Sequence, residues 1–142
     1  MLADIYSNLG IIYWYMNRID KAIYYAKKSL SIRRKNEDKY GIATSYNNIG
    51  VCYFHKESFK QALHCYRKSL KIHVVLNDLY GIAWNYNNIG EIYFELGKLK
   101  LALKSFSKAN MIAKEYSDKA LQTITALFIA SVFLGKGDIR KD

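Results

Sequence analysis

Between Lys39 and His55 the apolar side chains Ile42, Tyr46, Ile49 and Tyr53 fall at spacings of three and four, the period of one helix face. A second stretch, opening at Ser58, presents Ala62, Tyr66, Leu70 and Ile72 as its inward face. The punctuation carries helix-start signals. Asp38 stands where a side-chain oxygen would cap the first free amides, as do Asp78 and Asp118, and Asn77 and Ser117, which precede the latter two, suit a turn. Ser58 and Gln61 make a Ser-x-x-Gln capping box for the second stretch. The pattern predicts two helices joined by a short turn.

The pair recurs. Asn8-Leu9-Gly10, Asn48-Ile49-Gly50 and Asn88-Ile89-Gly90 lie 40 residues apart. The same period relates Tyr13, Tyr53 and Tyr93, and also Ala22, Ala62 and Ala102. Units of about 1–37, 38–77 and 78–117 result, with a partial fourth over 118–142 that puts Ala130 at the glycine position and Phe133 at the tyrosine position. Glycine at 10, 50 and 90 lets paired helices approach closely, and the alanine at 22, 62 and 102 fits that contact from the other side. Repetition at such a period marks an array in which neighbouring units bury one another's apolar faces.

Within the second unit, Tyr46, Ile49-Gly50, Tyr53, Ala62 and Tyr66 stand at the spacing of the tetratricopeptide repeat, and the chain resembles that family over essentially its whole length. The family's common repeat is shorter and usually closes with proline. This 40-residue form is similar to the repeats of kinesin light chains, spindle-orientation adaptors and bacterial Rap-type regulators. The resemblance implies an all-α fold: a right-handed α-solenoid of antiparallel helical hairpins, with three full repeats and the first helix of a fourth. It implies binding in place of catalysis, with no cofactor and no metal. In such arrays the first helices of successive units line a concave face and the second helices the outside.

Charge changes the picture of where a ligand would sit. The formal net charge is +10, yet 17 of the 22 Lys and Arg fall in the second-helix stretches 17–36, 56–75 and 97–116. None falls in the first-helix stretches 3–16, 43–55 and 83–96, whose only charges are Asp4, Glu91 and Glu95. A groove of that composition suits a neutral or basic peptide. It lacks the lysines and arginines with which some family members grip a C-terminal carboxylate.

Asn8, Asn48 and Asn88 are the foremost candidates, because an amide can pair with both the N–H and the C=O of an extended backbone. Family members often use asparagine at this place in that way. Phe128 ends the series in the fourth copy. The competing reading has the three amides bonded to neighbouring helices, fixing only the packing. Asn47 and Asn87 add polar neighbours, and Glu91 and Glu95 acidic ones. Trp84 takes the position of Asp4 and Thr44, so it is expected to be exposed and to serve as an anchor. Trp14, Phe54 and Phe94 add aromatic surface near the groove, with Phe54 and Phe94 read first as core.

Composition removes several classes. Hydrophobic residues make up 51% and charged residues 24% of the chain, and proline is absent, which fits uninterrupted helices in a globular protein. The longest uncharged run, Ala120–Leu134, is short of the ~20 apolar residues that cross a bilayer and carries Gln122, Thr123, Thr125 and Ser131. No signal peptide is recognised ahead of the first helix and two cysteines make no disulfide framework, so a cytoplasmic location is expected. Cys52, His55, His64 and Cys65 invite a metal or Cys–His reading. Cys52 aligns with Ile12 and Ile92, however, and is better placed in the core. Gly135-Lys136-Gly137 reads as a helix-to-helix turn without the context of a phosphate loop. Arg33-Arg34-Lys35, with Lys27 and Lys28, gives the convex side a weaker alternative, contact with nucleic acid or an acidic surface, in which nucleic acid is the disfavoured partner.

The final stretch from Ala120 is apolar nearly all round and needs cover on more than one side. One side can rest on the third hairpin near Phe106 and Ile112. Leu127, Phe128, Phe133 and Leu134 are left to meet a further helix of a longer array or a second copy of the chain. The expected function is a protein–protein interaction scaffold that holds a peptide in the concave groove. The alternative is a regulatory peptide-sensing module of a larger signalling protein.

Overall fold

A computed structural model of the protein describes residues 1–134, and the Gly135-Lys136-Gly137 turn lies outside them. Seven helices follow one another among the described residues, without a strand: α1 (Leu2–Tyr15), α2 (Ile19–Lys35), α3 (Lys39–His55), α4 (Phe59–Val75), α5 (Leu79–Glu95), α6 (Leu99–Glu115) and α7 (Lys119–Phe133). The all-α array of helical hairpins expected from the periodicity is therefore present.

The turns explain the regularity. Each places one residue in the left-handed region: Asn17, Glu37, Glu57, Asn77 and Ser117 at φ between 52° and 60°, and Gly97 at 73°. That reversal lets two amides bond back onto the helix just left, as where Asp38 N–H donates to the Arg33 carbonyl at 3.0 Å and Glu37 N–H to that of Arg34 at 3.1 Å. Asp38 then caps the next helix, its carboxylate accepting from Gly41 N–H at 3.0 Å. Asp78 does the same for Gly81 at 3.3 Å, and Asp118 for Leu121 at 3.0 Å. One aspartate ends one helix and starts another.

The chain forms two compact units, Met1–Ile72 and His73–Asp142. In the first, a Cβ on Gly10 would sit 3.2 Å from the Ala22 carbonyl oxygen and 3.5 Å from Ala26 N, so α1 and α2 meet backbone to backbone. Gly50 differs from the expected glycine–alanine contact: its space is filled by the Tyr66 ring, 2.7 Å from where a Cβ would stand. Ala26, Leu30, Ile49 and Cys65 form one buried cluster, and Ala22, Ile23 and Cys52 another. The Ser29 hydroxyl donates to the Ala3 carbonyl and the Ser69 hydroxyl to that of Ala43, both at 2.8 Å, stitching the two hairpins in the same register.

One charge assigned above to the outer side lies elsewhere. Arg33 is buried, and its guanidinium donates to the Gly41 carbonyl and the Ser45 hydroxyl, each at 3.1 Å, while pairing with Asp4 at 3.1 Å. It is a structural tie among α1, α2 and α3, so it does not contribute to a basic surface.

In the second unit Gly90 faces the ring of Phe106, which is fully buried. Phe128 stacks on Phe106 at 4.6 Å between centroids and meets Phe94 edge-on at 5.8 Å. α7 thus rests on the third hairpin. It is buried completely only at Leu121 and Thr125, and the Thr125 hydroxyl donates to Asn110 Oδ1 at 2.9 Å.

Candidate binding site

The first unit has a cleft of about 190 Å³ between α1 and α3. Ile11, Trp14 and Tyr15 wall it from α1, Asn48 and Val51 from α3, and the small residues Gly10, Ala22 and Ala26 lie at its base. No Lys, Arg, Asp or Glu lines it. Trp14 packs against the Ala22, Ile23 and Cys52 cluster and edge-on to His55 at 5.0 Å. Its indole N–H is buried without a hydrogen-bond partner among the described residues. An apolar slot with one amide on its wall can seat an apolar side chain and pair with the backbone beside it.

The sequence candidates fall unevenly. Asn48 is half-buried on the wall of this cleft, Asn47 is half-buried nearby on α3, and Asn8 is exposed on α1 outside the lining. In the second unit Asn88 is half-buried on α5. Asn87 does not offer a free amide: it is buried at 1% exposure, and its Nδ2 donates to Glu91 Oε1 at 2.9 Å. A polar residue one turn from a carboxylate directs its N–H into its own helix, and its buried Oδ1 has no partner among the described residues. Asn85, unremarked in the sequence, is likewise buried and donates to the Gly81 carbonyl at 2.9 Å.

Trp84 is not an exposed anchor. It is half-buried against Ala83, Ala113 and Leu121, with Tyr116 beside it, and its indole N–H is buried without a partner among the described residues. Polar residues at its repeat position pointed to exposure, but each is polar for a local reason. Asp4 is held by Arg33, and the Thr44 hydroxyl returns to the Tyr40 carbonyl at 3.1 Å. Phe128 leaves the self-association set for the same kind of reason, being stacked within the unit. Leu127, Phe133 and Leu134 are exposed at 65%, 73% and 73%. Phe94 is core, and Phe54 is half-buried against Phe59 at 5.6 Å.

Glu91 and Glu95 are half-buried on α5. Burial pushes the Glu91 carboxyl above the ordinary carboxylate range, the Asn87 hydrogen bond opposes that shift, and the charge of Glu95 adds to it. Cys52 is buried beside Ala22 and Ile23, as its alignment with Ile12 and Ile92 implied, and burial raises its thiol to about 11. Cys65 is raised as well, again chiefly by burial, so both are held as thiols.

Paired helices closing on one another at a 40-residue period, with glycine or alanine where they cross, define a helical-repeat protein of the kind that holds other proteins. The chain belongs to the tetratricopeptide repeat family, whose model matches residues 1–73 and 41–115. Among solved structures it is similar to BtubC (BKLC) from P. vanneervenii, at 25% identity over 99% of this chain and 58% of that one, with a TM-score of 0.86. It is also similar to the apo form of RapI, at 24% identity over 96% of this chain and 50% of that one, with a TM-score of 0.87. A third likeness is to a signal transduction ATPase with a tetratricopeptide repeat sensor from Pyrococcus horikoshii, at 26% identity over 94% of this chain and 21% of that one, with a TM-score of 0.82. No curated protein matches the chain. The chain spans about half the length of the first two of these structures. Its general role is that of the family, an interaction scaffold for protein partners. No helix among the described residues is long and apolar enough to cross a membrane.

Proposed function

We propose that the chain binds an extended, neutral or basic peptide segment, with one apolar side chain of that segment seated between α1 and α3. The observation that carries this is the uncharged cleft with Trp14, Asn48 and Val51 on its walls. At about 190 Å³ it is smaller than the roughly 300–1,000 Å³ of small-molecule sites, so it fits a side chain better than a whole ligand. The Asn48 amide has the donors and the acceptor to pair with a backbone running past, and the acidic Glu91 and Glu95 of α5 suit a basic segment.

Selection of extended peptides on the wild-type chain, followed by fluorescence polarisation, tests the reading. Asn48→Ala and Val51→Arg should each weaken the selected peptides by about tenfold, a loss typical of a contact near 1.4 kcal/mol, with helicity unchanged. Peptides that bind both variants as tightly as wild type would remove the cleft from the function.

A second reading, a peptide-sensing module within a larger protein, is favoured by the likeness to a repeat that serves as a sensor in a much longer ATPase. An effector attached in the parent protein whose output changes on peptide addition distinguishes it from a passive scaffold. The exposed Leu127, Phe133 and Leu134 support a further contact, with a second copy of the chain. Light scattering decides that point, since a monodisperse monomer at high concentration would exclude it.

A further inference from the structure

On α3, the residues between those of the peptide cleft serve another site. Tyr46, Ile49 and Tyr53 form the floor of a second cleft in the first unit, of about 610 Å³, walled by α2 and α4. Lys27 and Arg34 enter it from α2, and Lys60 and His64 from α4, while no carboxylate lines it. Its volume lies within the roughly 300–1,000 Å³ of small-molecule sites.

The cations are arranged. The Lys27 ammonium lies 5.9 Å from the centroid of the Tyr53 ring. The Arg34 guanidinium lies 5.4 Å from that of Tyr46, and Arg34 also donates to the Tyr46 hydroxyl. Lys68, one turn past His64 on α4, stands 5.4 Å from the same ring on Tyr46. Ring faces of this kind attract cations and restrict where they point. None of Lys27, Arg34, Lys60 and Lys68 has an acidic partner among the described residues, whereas Lys56 in the same unit pairs with Asp20 at 2.7 Å. Positive charge gathered in a concavity over apolar walls, without a counter-charge, focuses a field that an anion would complete.

We infer that this cleft binds a small phosphate-bearing molecule, its phosphate taken by Arg34, Lys27 and Lys60 and its remaining part resting on Tyr46, Ile49 and Tyr53. Arginine favours phosphate because its planar fork matches two oxygens at once. The Ser31 hydroxyl and Gln61 amide, both in the lining, supply neutral donors. A long nucleic acid is a poorer fit. The cleft is bounded by two helices, and Arg33, the head of the basic run, is buried and committed to Gly41, Ser45 and Asp4. The inference does not depend on the peptide reading, since Asn48 and Val51 line one cleft and Tyr46, Ile49 and Tyr53 the other.

Titration of the 142-residue chain with inorganic pyrophosphate and, separately, with a nucleoside diphosphate tests this by amide NMR at constant ionic strength. Saturable shifts at Ile49, Tyr53 and Cys65 are expected with both. Tighter binding of the nucleoside diphosphate would assign the floor an organic group, and tighter binding of pyrophosphate would assign a free phosphate source. Arg34→Gln with Lys60→Gln, both exposed positions, should weaken binding by about tenfold or more, since each removes a charge-assisted contact. Lys100→Gln with Lys104→Gln on α6 removes equal charge outside the cleft and should leave binding unchanged, with circular dichroism confirming intact helices in both. Equal losses in the two double variants would assign the binding to net charge alone. Such losses, or the absence of saturable shifts at millimolar pyrophosphate, would overturn the site.

Discussion

The same kind of joint between a second helix and the next first helix is made in both units, from opposite chemistry. In the first, Arg33 leaves the last turn of α2 and reaches Gly41, Ser45 and Asp4. Two periods later, in the second unit, the arginine position holds Ala113, the glycine position Leu121, the serine position Thr125 and the aspartate position Trp84. Ala113, Leu121 and Ala83 form a buried cluster under Trp84. A long side chain meets glycine in one case, and alanine meets leucine and an indole in the other. The stitching serines follow the same drift, since Ser29 and Ser69 give way to Ala109. His73 is an intermediate, its ring lying against Gly81 and its Nδ1 3.0 Å from Asp78 Oδ2. The comparison teaches that the joint needs complementary volume more than it needs a particular residue. The polar version adds direction, because three hydrogen-bonding groups admit one register, and the apolar version adds burial.

Moving the second unit's chemistry into the first is the sharpest way to break that comparison, and it carries the largest expected effect. Arg33→Ala alone should cost about 3 kcal/mol, from lost packing and from the Gly41 carbonyl and Ser45 hydroxyl left without their donor. Gly41→Leu alone should cost ~1–3 kcal/mol through overpacking, because its Cβ would meet the Asp38 carboxylate and stand 2.7 Å from Arg33 Cδ. Made together, they reproduce the Ala113–Leu121 pair, and most of the combined loss should be recovered. The Asp38 carboxylate must turn aside, and the Asp118 cap on a helix whose third residue is Leu121 shows a geometry that accommodates leucine. Urea midpoints for the four proteins close the cycle. Simple addition of the two losses would show that volume exchange does not explain the difference between the units.

That difference also marks where sequence reasoning reached and where it stopped. α3 is legible as Lys39–His55 because its signals are local: a three-and-four spacing and an aspartate cap. The α7 packing on Phe106 was legible from the apolar run. Trp84 and Asn87 are not legible, because exposure at a repeat position depends on neighbours that change from one repeat to the next. Trp84 rests on an alanine where Asp4 meets an arginine, and Asn87 has Glu91 one turn away. Nothing in a linear run separates Arg33 from Arg34, so the burial of the first has no local signal. The phosphate cleft had no linear signature at all. Its cations come from α2 and α4 and become one site only when both helices close over α3.

The smallest predicted effect concerns one further position that the two units treat differently. Ile11 and Val51 line an apolar cleft in the first unit, and the same repeat position in the second is Glu91. Its carboxyl is held above the ordinary range chiefly by burial, with Glu95 adding to the shift and Asn87 opposing it. A folded carboxyl with a raised pKa keeps its proton to higher pH than the unfolded one does. Stability therefore falls as pH climbs from the unfolded value of 4.5 to the folded one, and stays lower beyond it. Glu91→Gln should raise the urea midpoint at neutral pH and flatten its decline over that window, while Asn87 keeps a partner in the new amide. A midpoint unchanged at every pH would mean that the Asn87 hydrogen bond already offsets the burial. The wild-type carboxyl has a corollary in binding: a basic residue docking beside Glu91 stabilises its ionised form. Affinity for such a peptide should therefore rise with pH across the same window and lose that dependence in Glu91→Gln. A neutral peptide should show neither effect.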